Sequence, residues 1–279
     1  MKKVGFSIDD LKGAGYSAGE MKAAGYSASD LKAAGYSVSQ IMAAGYSASE
    51  VQGNGYSLAE MKKNGYSAAD LKRSGYSAGD MKAAGYTAAD LKKAGYAVAE
   101  LKAAGYNAAD LKEAGYSATE LTQAGFSIGD LKVAGFGVAD LKQAGYKPDS
   151  LKSAGFSAGE MKEGGYGTTA LKQLGYSAAE QRAAGVSLAE LKSLGYGVAQ
   201  LKDAANSPRE LTEMGYSVAS LKQAGYATAE LLGSGYSAKE LKAAGYSAAE
   251  LKTGGADVLG LGFSASALYG SGENGSGPR

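Results

Sequence analysis

Apolar and polar positions recur with a period of ten residues from Gly5 to Gly255, without insertion or deletion. The repeated phrase is G-[Y/F]-S-[A/V]-x-[D/E]-[L/M]-K-x-A, which places one large aliphatic and one aromatic residue in each unit. A fixed period of this kind is typical of tandem repeats, in which each unit buries its apolar face against its neighbours. The pattern therefore predicts one small structural element that is repeated along the chain.

The unit from Tyr16 to Tyr26 predicts a short helix with a defined start and end. Ser17 and Glu20 have the spacing of a capping box, in which the hydroxyl accepts from a helical amide and the carboxylate accepts from the serine amide. Gly25 can adopt the left-handed conformation that ends a helix in a Schellman turn. Each aromatic residue then ends one helix and packs at the start of the next.

The distance between cap and glycine leaves room for about two turns of helix, and isolated helices of this length are marginal in water. Packing between units must supply the missing stability, so we expect an all-α fold, a solenoid of very short, about two-turn helices with one helix per ten-residue repeat. Leu174, Leu194 and Met214 replace the usual alanine at twenty-residue intervals, which favours two helices per superhelical turn. Larger apolar residues also recur at multiples of thirty, which leaves three per turn open.

The repeat predicts the domain organisation directly. Residues 1–261 are expected to form the decapeptide-repeat domain. Residues 262–279 are expected to hold a degenerate terminal repeat, which starts three residues early at Gly262 and Phe263, and a flexible Gly/Ser-rich tail.

The composition argues against catalysis. The chain has 279 residues with 43 glycines and 20 tyrosines, and it contains no Cys, His or Trp. A Ser/His/Asp set, a thiolate nucleophile and the usual zinc ligands therefore cannot be assembled. The acidic residues already have a role as capping-box partners. We expect no enzymatic activity, no catalytic or cofactor-binding residues, no metal and no cofactor.

The charges are balanced, with 29 basic and 28 acidic residues and a formal net charge of +1. An acid precedes nearly every lysine by two residues, so we expect the lysines to form a solvated flank and the chain to have no nucleic-acid partner. No apolar run approaches the roughly 20 residues that span a bilayer, and no signal peptide is recognisable. The compartment stays open, with the cytoplasm as the default.

The two ends carry apolar residues where terminal repeats usually present polar outer faces. We expect these residues to form an end-to-end interface between copies, because a head-to-tail contact that does not close produces an open filament. The candidate interface residues are Val4, Phe6, Ile8, Leu11, Val258, Leu259, Leu261, Phe263, Leu268 and Tyr269.

The phrase A-G-[Y/F]-S-x-x-[D/E]-L-K, over residues 5 to about 255, resembles the tandem decapeptide arrays of uncharacterised microbial and algal proteins. Those arrays carry no established activity, so the resemblance implies no site and no function. The string AGYS is also similar to the repeats of bacterial ice-nucleation proteins, but their longer, threonine-rich, strand-forming period is missing here.

The uniform repeat indicates a structural or scaffolding protein that associates with itself into a homo-oligomer or filament. A surface that recognises one defined partner usually varies its exposed residues from repeat to repeat, whereas a polymer does not require this variation. One alternative is an interaction module that binds an unidentified protein partner along a groove, since repeat arrays present extended binding surfaces. A further alternative is binding to ice or to another crystal surface, because a lattice of identical side chains can match another lattice.

Overall fold

The computed structural model describes residues 6–205 and 207–269, without the side chain of Tyr269. The described residues form 26 α-helices and no strand. The chain divides into two compact units, residues 1–146 and 147–279. None of the helices in the described ranges has the length and apolar character needed to cross a bilayer.

Helices α1 to α14 belong to the first unit. They are α1 Ile8–Gly13, α2 Ala18–Ala23, α3 Ala28–Ala33, α4 Val38–Ala43, α5 Ala48–Val51, α6 Leu58–Lys63, α7 Ala68–Arg73, α8 Ala78–Ala83, α9 Ala88–Lys93, α10 Val98–Ala103, α11 Ala108–Glu113, α12 Ala118–Gln123, α13 Ile128–Val133 and α14 Val138–Gln143. Helices α15 to α26 belong to the second unit. They are α15 Pro148–Ser153, α16 Ala158–Glu163, α17 Thr168–Gln173, α18 Ala178–Ala183, α19 Leu188–Ser193, α20 Val198–Leu201, α21 Pro208–Glu213, α22 Val218–Gln223, α23 Thr228–Gly233, α24 Ala238–Ala243, α25 Ala248–Thr253 and α26 Ala265–Tyr269.

Most helices begin at the predicted capping box. At the start of α8, the Ser77 hydroxyl accepts from the Asp80 amide at 3.1 Å, and the Asp80 carboxylate accepts from the Ser77 amide at 2.9 Å. Helix α15 begins differently, because its N-cap Lys147 makes no side-chain cap and Pro148 occupies the first turn. Proline is tolerated there since the first-turn amides have no partner inside the helix.

Most helices end in the predicted Schellman turn, with α5 and α20 as exceptions. At the end of α8, the Tyr86 amide donates to the Met81 carbonyl at 3.0 Å, and the Gly85 amide donates to the Lys82 carbonyl at 2.8 Å. Gly85 has φ of 80°, a conformation that strains a residue with a Cβ atom. The cap and the turn together use four residues of each ten, so six remain for the helix.

The predicted fold class is wrong in its architecture, although the described residues are helical. The described helices have at most six residues, which is about 1.7 turns at 3.6 residues per turn and less than the expected two. They are also divided between two compact units and are not gathered in one. The unit boundary follows Tyr146, where the sequence KPDS departs from the capping box.

The core of each unit is built from the aliphatic and aromatic positions of the repeat. Within the first unit α2 packs against α4 and α12 against α14, and within the second α16 packs against α18. Consecutive helices such as α11 and α12 are also in contact. The aliphatic side chains of Leu91, Leu101 and Leu111 are fully buried, and the Tyr96 ring is buried beside them. Burial of each such aliphatic side chain stabilises the fold by about 1.5–3 kcal/mol.

One ten-residue repeat in the second unit departs from this apolar core. Gln181 takes the aliphatic position of α18 and is fully buried, and Val186 takes the next aromatic position. The Gln181 Nε2 atom donates to the Tyr196 hydroxyl at 2.7 Å. With the amide turned by 180°, its oxygen accepts from the same hydroxyl and its nitrogen lies 3.2 Å from the Thr168 carbonyl. The buried amide is hydrogen-bonded in both orientations, as a buried polar group requires.

Candidate interaction surfaces

Tyrosine side chains join repeats that lie twenty residues apart. The Tyr46 hydroxyl donates to the Tyr26 carbonyl at 2.5 Å, Tyr66 to Tyr46 at 2.8 Å, and Tyr86 to Tyr66 at 2.9 Å. We call this set of bonds the tyrosine ladder. Its donors include Tyr36, Tyr46, Tyr56, Tyr66, Tyr86, Tyr96 and Tyr106 in the first unit and Tyr176, Tyr196, Tyr216 and Tyr246 in the second.

The hydroxyls of the tyrosine ladder are therefore held by hydrogen bonds inside the fold. Burial raises the pKa of Tyr66 and of Tyr86 to about 12, and nearby carboxylates such as Asp70 and Asp90 add to the increase. A hydroxyl held in this way is not offered to an outside ligand.

Lysine side chains make a second connection between repeats. Lys92 Nζ donates to the Gly115 carbonyl at 2.6 Å and lies 4.1 Å from the centroid of the Tyr116 ring. The ammonium group thus meets the negative end of a helix and the negative face of a ring at once. We call the equivalent contacts of successive lysines the lysine ladder.

The lysine side chains of this ladder keep partial contact with solvent while they bind another repeat. The Lys22 and Lys202 side chains are 32% and 30% exposed, because their stems lie along the next-but-one repeat. In the ten-residue repeat where Thr212 replaces the lysine, Arg209 makes the contact with the glycine carbonyl instead. Its Nη2 atom donates to the Gly235 carbonyl at 2.7 Å. This compensating arginine was the signal in the sequence that could have revealed the ladder.

Carboxylates complete some of these clusters. Lys22 Nζ lies 3.4 Å from a Glu50 carboxylate oxygen, and Lys222 Nζ lies 3.0 Å from Glu250. Hydrogen bonds from Ser247, together with Lys222, lower the pKa of Glu250 to about 2. The repeated acid therefore both caps its own helix and faces a lysine from an earlier repeat.

The N-terminal part of the predicted interface lies in the first unit. Phe6 is 58% exposed, Ile8 is half-buried, and Leu11 is buried beneath them. Val4 lies outside the described residues. An exposed aromatic ring next to a half-buried aliphatic side chain forms a small apolar face at this end.

Part of the C-terminal set packs inward in the second unit. Leu261, Phe263 and Leu268 are half-buried and contact the core of that unit. Lys242 Nζ donates to the Gly262 carbonyl at 2.8 Å and lies 4.6 Å from the Phe263 ring centroid. The terminal repeat thus packs in the second unit although it starts three residues early, because a lysine of the ladder contacts its glycine and its aromatic ring.

The rest of the C-terminal set divides between core and surface. Val258 is buried, whereas the neighbouring Leu259 is 67% exposed. The side chain of Tyr269 lies outside the described part of the structure. Leu259 is therefore the large apolar side chain that this end presents outward among the described residues.

Surface grooves also repeat with the sequence. One groove of about 640 Å³ in the first unit lies between the cap segment 45–49 and the side chains of Tyr66 and Asp70. A second, of about 550 Å³, lies between segment 75–79 and Tyr96. No group of three or more acidic side chains in the described ranges is arranged to hold a metal ion.

Short capped helices, an internal aliphatic and aromatic core and repeated ladders define an all-α tandem repeat protein. The sequence model of the decapeptide repeat region matches residues 1–68, 55–128, 75–148, 105–177, 136–208 and 206–273. The chain therefore belongs to the decapeptide repeat family, which confirms the resemblance drawn from the repeated phrase. No curated protein and no solved structure matches the chain.

Proposed function

We propose that the chain is a non-catalytic structural repeat protein whose copies associate head to tail through apolar faces at their two ends. One observation carries the proposal. The large apolar side chains exposed among the described residues are Phe6, Val133 and Leu259, and two of the three lie in the terminal repeats. Exposed apolar groups of this size favour association because their burial removes them from water.

The contribution of each side chain can be estimated. Burying a Phe or Leu side chain stabilises an interface by about 1.5–3 kcal/mol. The Phe6 and Leu259 faces are unlike surfaces, so a contact between them is heterologous and leaves a free face at each end of a dimer. A heterologous contact of this kind produces a filament when it does not close into a ring.

The test compares end variants with an internal control. Phe6→Ser and Leu259→Ser are expected to shift the protein from assemblies towards monomers in sedimentation velocity across a wide concentration series. Val133→Ser is the matched control, because Val133 is 90% exposed but belongs to an internal repeat of the sequence. A wild-type protein that is monomeric at every concentration, or a control that dissociates as the end variants do, contradicts the proposal.

A second candidate function is the binding of a partner protein along the repeated grooves. The grooves at segments 45–49 and 75–79 support it, because both lie at the cap segment of a repeat and are lined by polar and apolar residues. Saturable one-to-one binding of a purified partner that survives the Phe6→Ser change favours this function over end-to-end assembly.

A further inference from the structure

The lysine ladder is interrupted in the first unit, where Met42, Gln52 and Thr122 stand at lysine positions. Met42 reaches the glycine that a lysine would contact, and Thr122 reaches the tyrosine hydroxyl of its cluster. A Cβ atom added to Gly65 would lie 3.1 Å from the Met42 methyl group, and Thr122 donates to the Tyr146 hydroxyl at 3.4 Å. Gln52 is different from both.

Gln52 lies outside its helix and is exposed. Helix α5 ends at Val51, and Gln52 has an extended backbone, with φ of −59° and ψ of 136°, and an exposed side chain. The equivalent of the lysine contact would be the Gly75 carbonyl and the Tyr76 ring. No lysine or arginine in the described ranges lies over that ring. Tyr76 is half-buried, and a Cβ atom added to Gly75 would meet nothing within 4 Å.

The third member of the cluster is Asp80. Its carboxylate accepts from the Ser77 amide at 2.9 Å and from the Ser77 hydroxyl at 2.6 Å. It makes no ion pair among the described residues. Its negative charge, after burial, contributes to the raised pKa of Tyr76, so the carboxylate acts on the ring environment.

We propose that the Gly75 carbonyl, the Tyr76 ring and the Asp80 carboxylate form a binding site for an alkylammonium or guanidinium group. The cation donates to the carbonyl and lies over the ring face, and the nearby carboxylate attracts it.

The same chain shows how such a group binds. In the equivalent cluster, Lys22 Nζ lies 2.6 Å from the Gly45 carbonyl, 4.4 Å from the Tyr46 ring centroid and 3.4 Å from Glu50. Glu50 keeps its own capping bonds to Ser47 while it faces the lysine, at 2.7 Å from the amide and 2.9 Å from the hydroxyl. A capping carboxylate can therefore attract a cation as well. Where the capping acid is an aspartate, as at Asp90 and Asp130, the lysine of the earlier repeat makes no ion pair with it in the described ranges but, after the cap hydrogen bonds, still lowers the pKa of the carboxyl. Asp80 has the same two capping bonds as Glu50.

The ligand chemistry follows from these three groups. A primary ammonium or a guanidinium group can donate to the Gly75 carbonyl, whereas a quaternary ammonium has no N–H to donate. A small alkylamine and the lysine or arginine side chain of a peptide share this chemistry.

The probe is n-butylammonium, which reproduces the end of a lysine side chain. The protein is labelled with 3-fluorotyrosine, and the fluorine resonance of Tyr76 is assigned by its loss in Tyr76→Phe. At constant ionic strength, we expect this resonance to shift saturably with n-butylammonium and not with n-butanol. An equal response to the uncharged alcohol overturns the proposal.

Two variants test the site itself. Gln52→Lys supplies a tethered ammonium and is expected to abolish the response to n-butylammonium. Asp80→Asn is expected to weaken binding about two- to fivefold, the range of an exposed ion pair. The amide should retain the capping box, because Gln40 fills the same position in α4. Far-ultraviolet circular dichroism checks that both variants fold. Unchanged affinity in Asp80→Asn, together with an unchanged response in Gln52→Lys, refutes the assignment.

A lysine-containing peptide and its acetylated counterpart distinguish the two sources of the cation. Tighter binding of the peptide than of n-butylammonium, lost on acetylation, indicates a side chain from a partner protein. Equal affinities indicate a free amine.

Discussion

Removal of one hydroxyl from the tyrosine ladder tests how the repeats are held together. Tyr86→Phe keeps the buried ring and deletes the bond from the Tyr86 hydroxyl to the Tyr66 carbonyl, which is 2.9 Å long. The ring itself fits without a hydroxyl, because Phe126 and Phe136 are buried at the same position of the repeat. The lysine contact also survives, since Lys102 lies 4.7 Å from the Phe126 centroid.

The expected loss is therefore that of one buried hydrogen bond. A net contribution of about 0.5–1.5 kcal/mol is typical, and an acceptor left unpaired in the interior raises the cost to about 1–3 kcal/mol. We expect Tyr86→Phe to lower the free energy of unfolding by about 1–2 kcal/mol.

The matched control is Tyr76→Phe, because the Tyr76 hydroxyl contacts only the Met61 sulfur at 4.0 Å. Urea denaturation followed by far-ultraviolet circular dichroism gives both differences from the shift in midpoint at a common slope. Tyr76→Phe is expected to change stability by less than about 0.5 kcal/mol. Equal destabilisation by the two variants, or no effect of Tyr86→Phe, refutes the role of the ladder.

Three further predictions concern the turns, the lysines and pH. Gly85→Ala should destabilise the protein by about 1–2 kcal/mol, because Gly85 has φ of 80°. Gly79→Ala within α8 should instead stabilise the protein by about 0.5–1 kcal/mol. Thermal unfolding distinguishes the two signs. Lys92→Met should lower the free energy of unfolding by about 1 kcal/mol, because it removes a charge at a helix end and a cation–π contact. Lys93→Met should leave the free energy of unfolding nearly unchanged, and urea denaturation measures both. The folded-state pKa of Tyr86 is about 12 against 10 for an ordinary tyrosine, so its contribution to stability is complete below pH 10 and is lost as the pH rises through 12. The phenolate absorbance of Tyr86, taken as the difference between the wild type and Tyr86→Phe, should therefore change together with circular dichroism in that window. Formation of this phenolate near pH 10 in a still helical protein would contradict this.

The local structure of each repeat could be predicted from a single unit. Ser77 and Asp80 are three residues apart, and Gly85 closes the helix that they open. All of these bonds lie within ten residues of chain, so the residue types and their spacing determine them without reference to the rest of the protein.

The contacts between repeats could not be predicted in the same way. The lysine of one unit meets the carbonyl and ring of another, as Lys92 meets Gly115 and Tyr116. Because the repeats are nearly identical, the sequence does not show whether a repeat contacts the one ten, twenty or thirty residues away. The neighbours of each repeat therefore could not be predicted. The balanced charges suggested a solvated lysine flank, but they did not indicate that each lysine contacts another repeat.

The ends show the same division. Phe6 and Leu259 could be predicted as apolar end residues, but only packing showed that Leu261 and Phe263 turn into the core of their own unit. Cap, helix and turn were thus determined by the sequence itself, because their hydrogen bonds join residues near each other in the chain. The two ladders, the division into two units and the exposure of the end residues were decided by the tertiary structure, because they depend on which distant repeats come into contact.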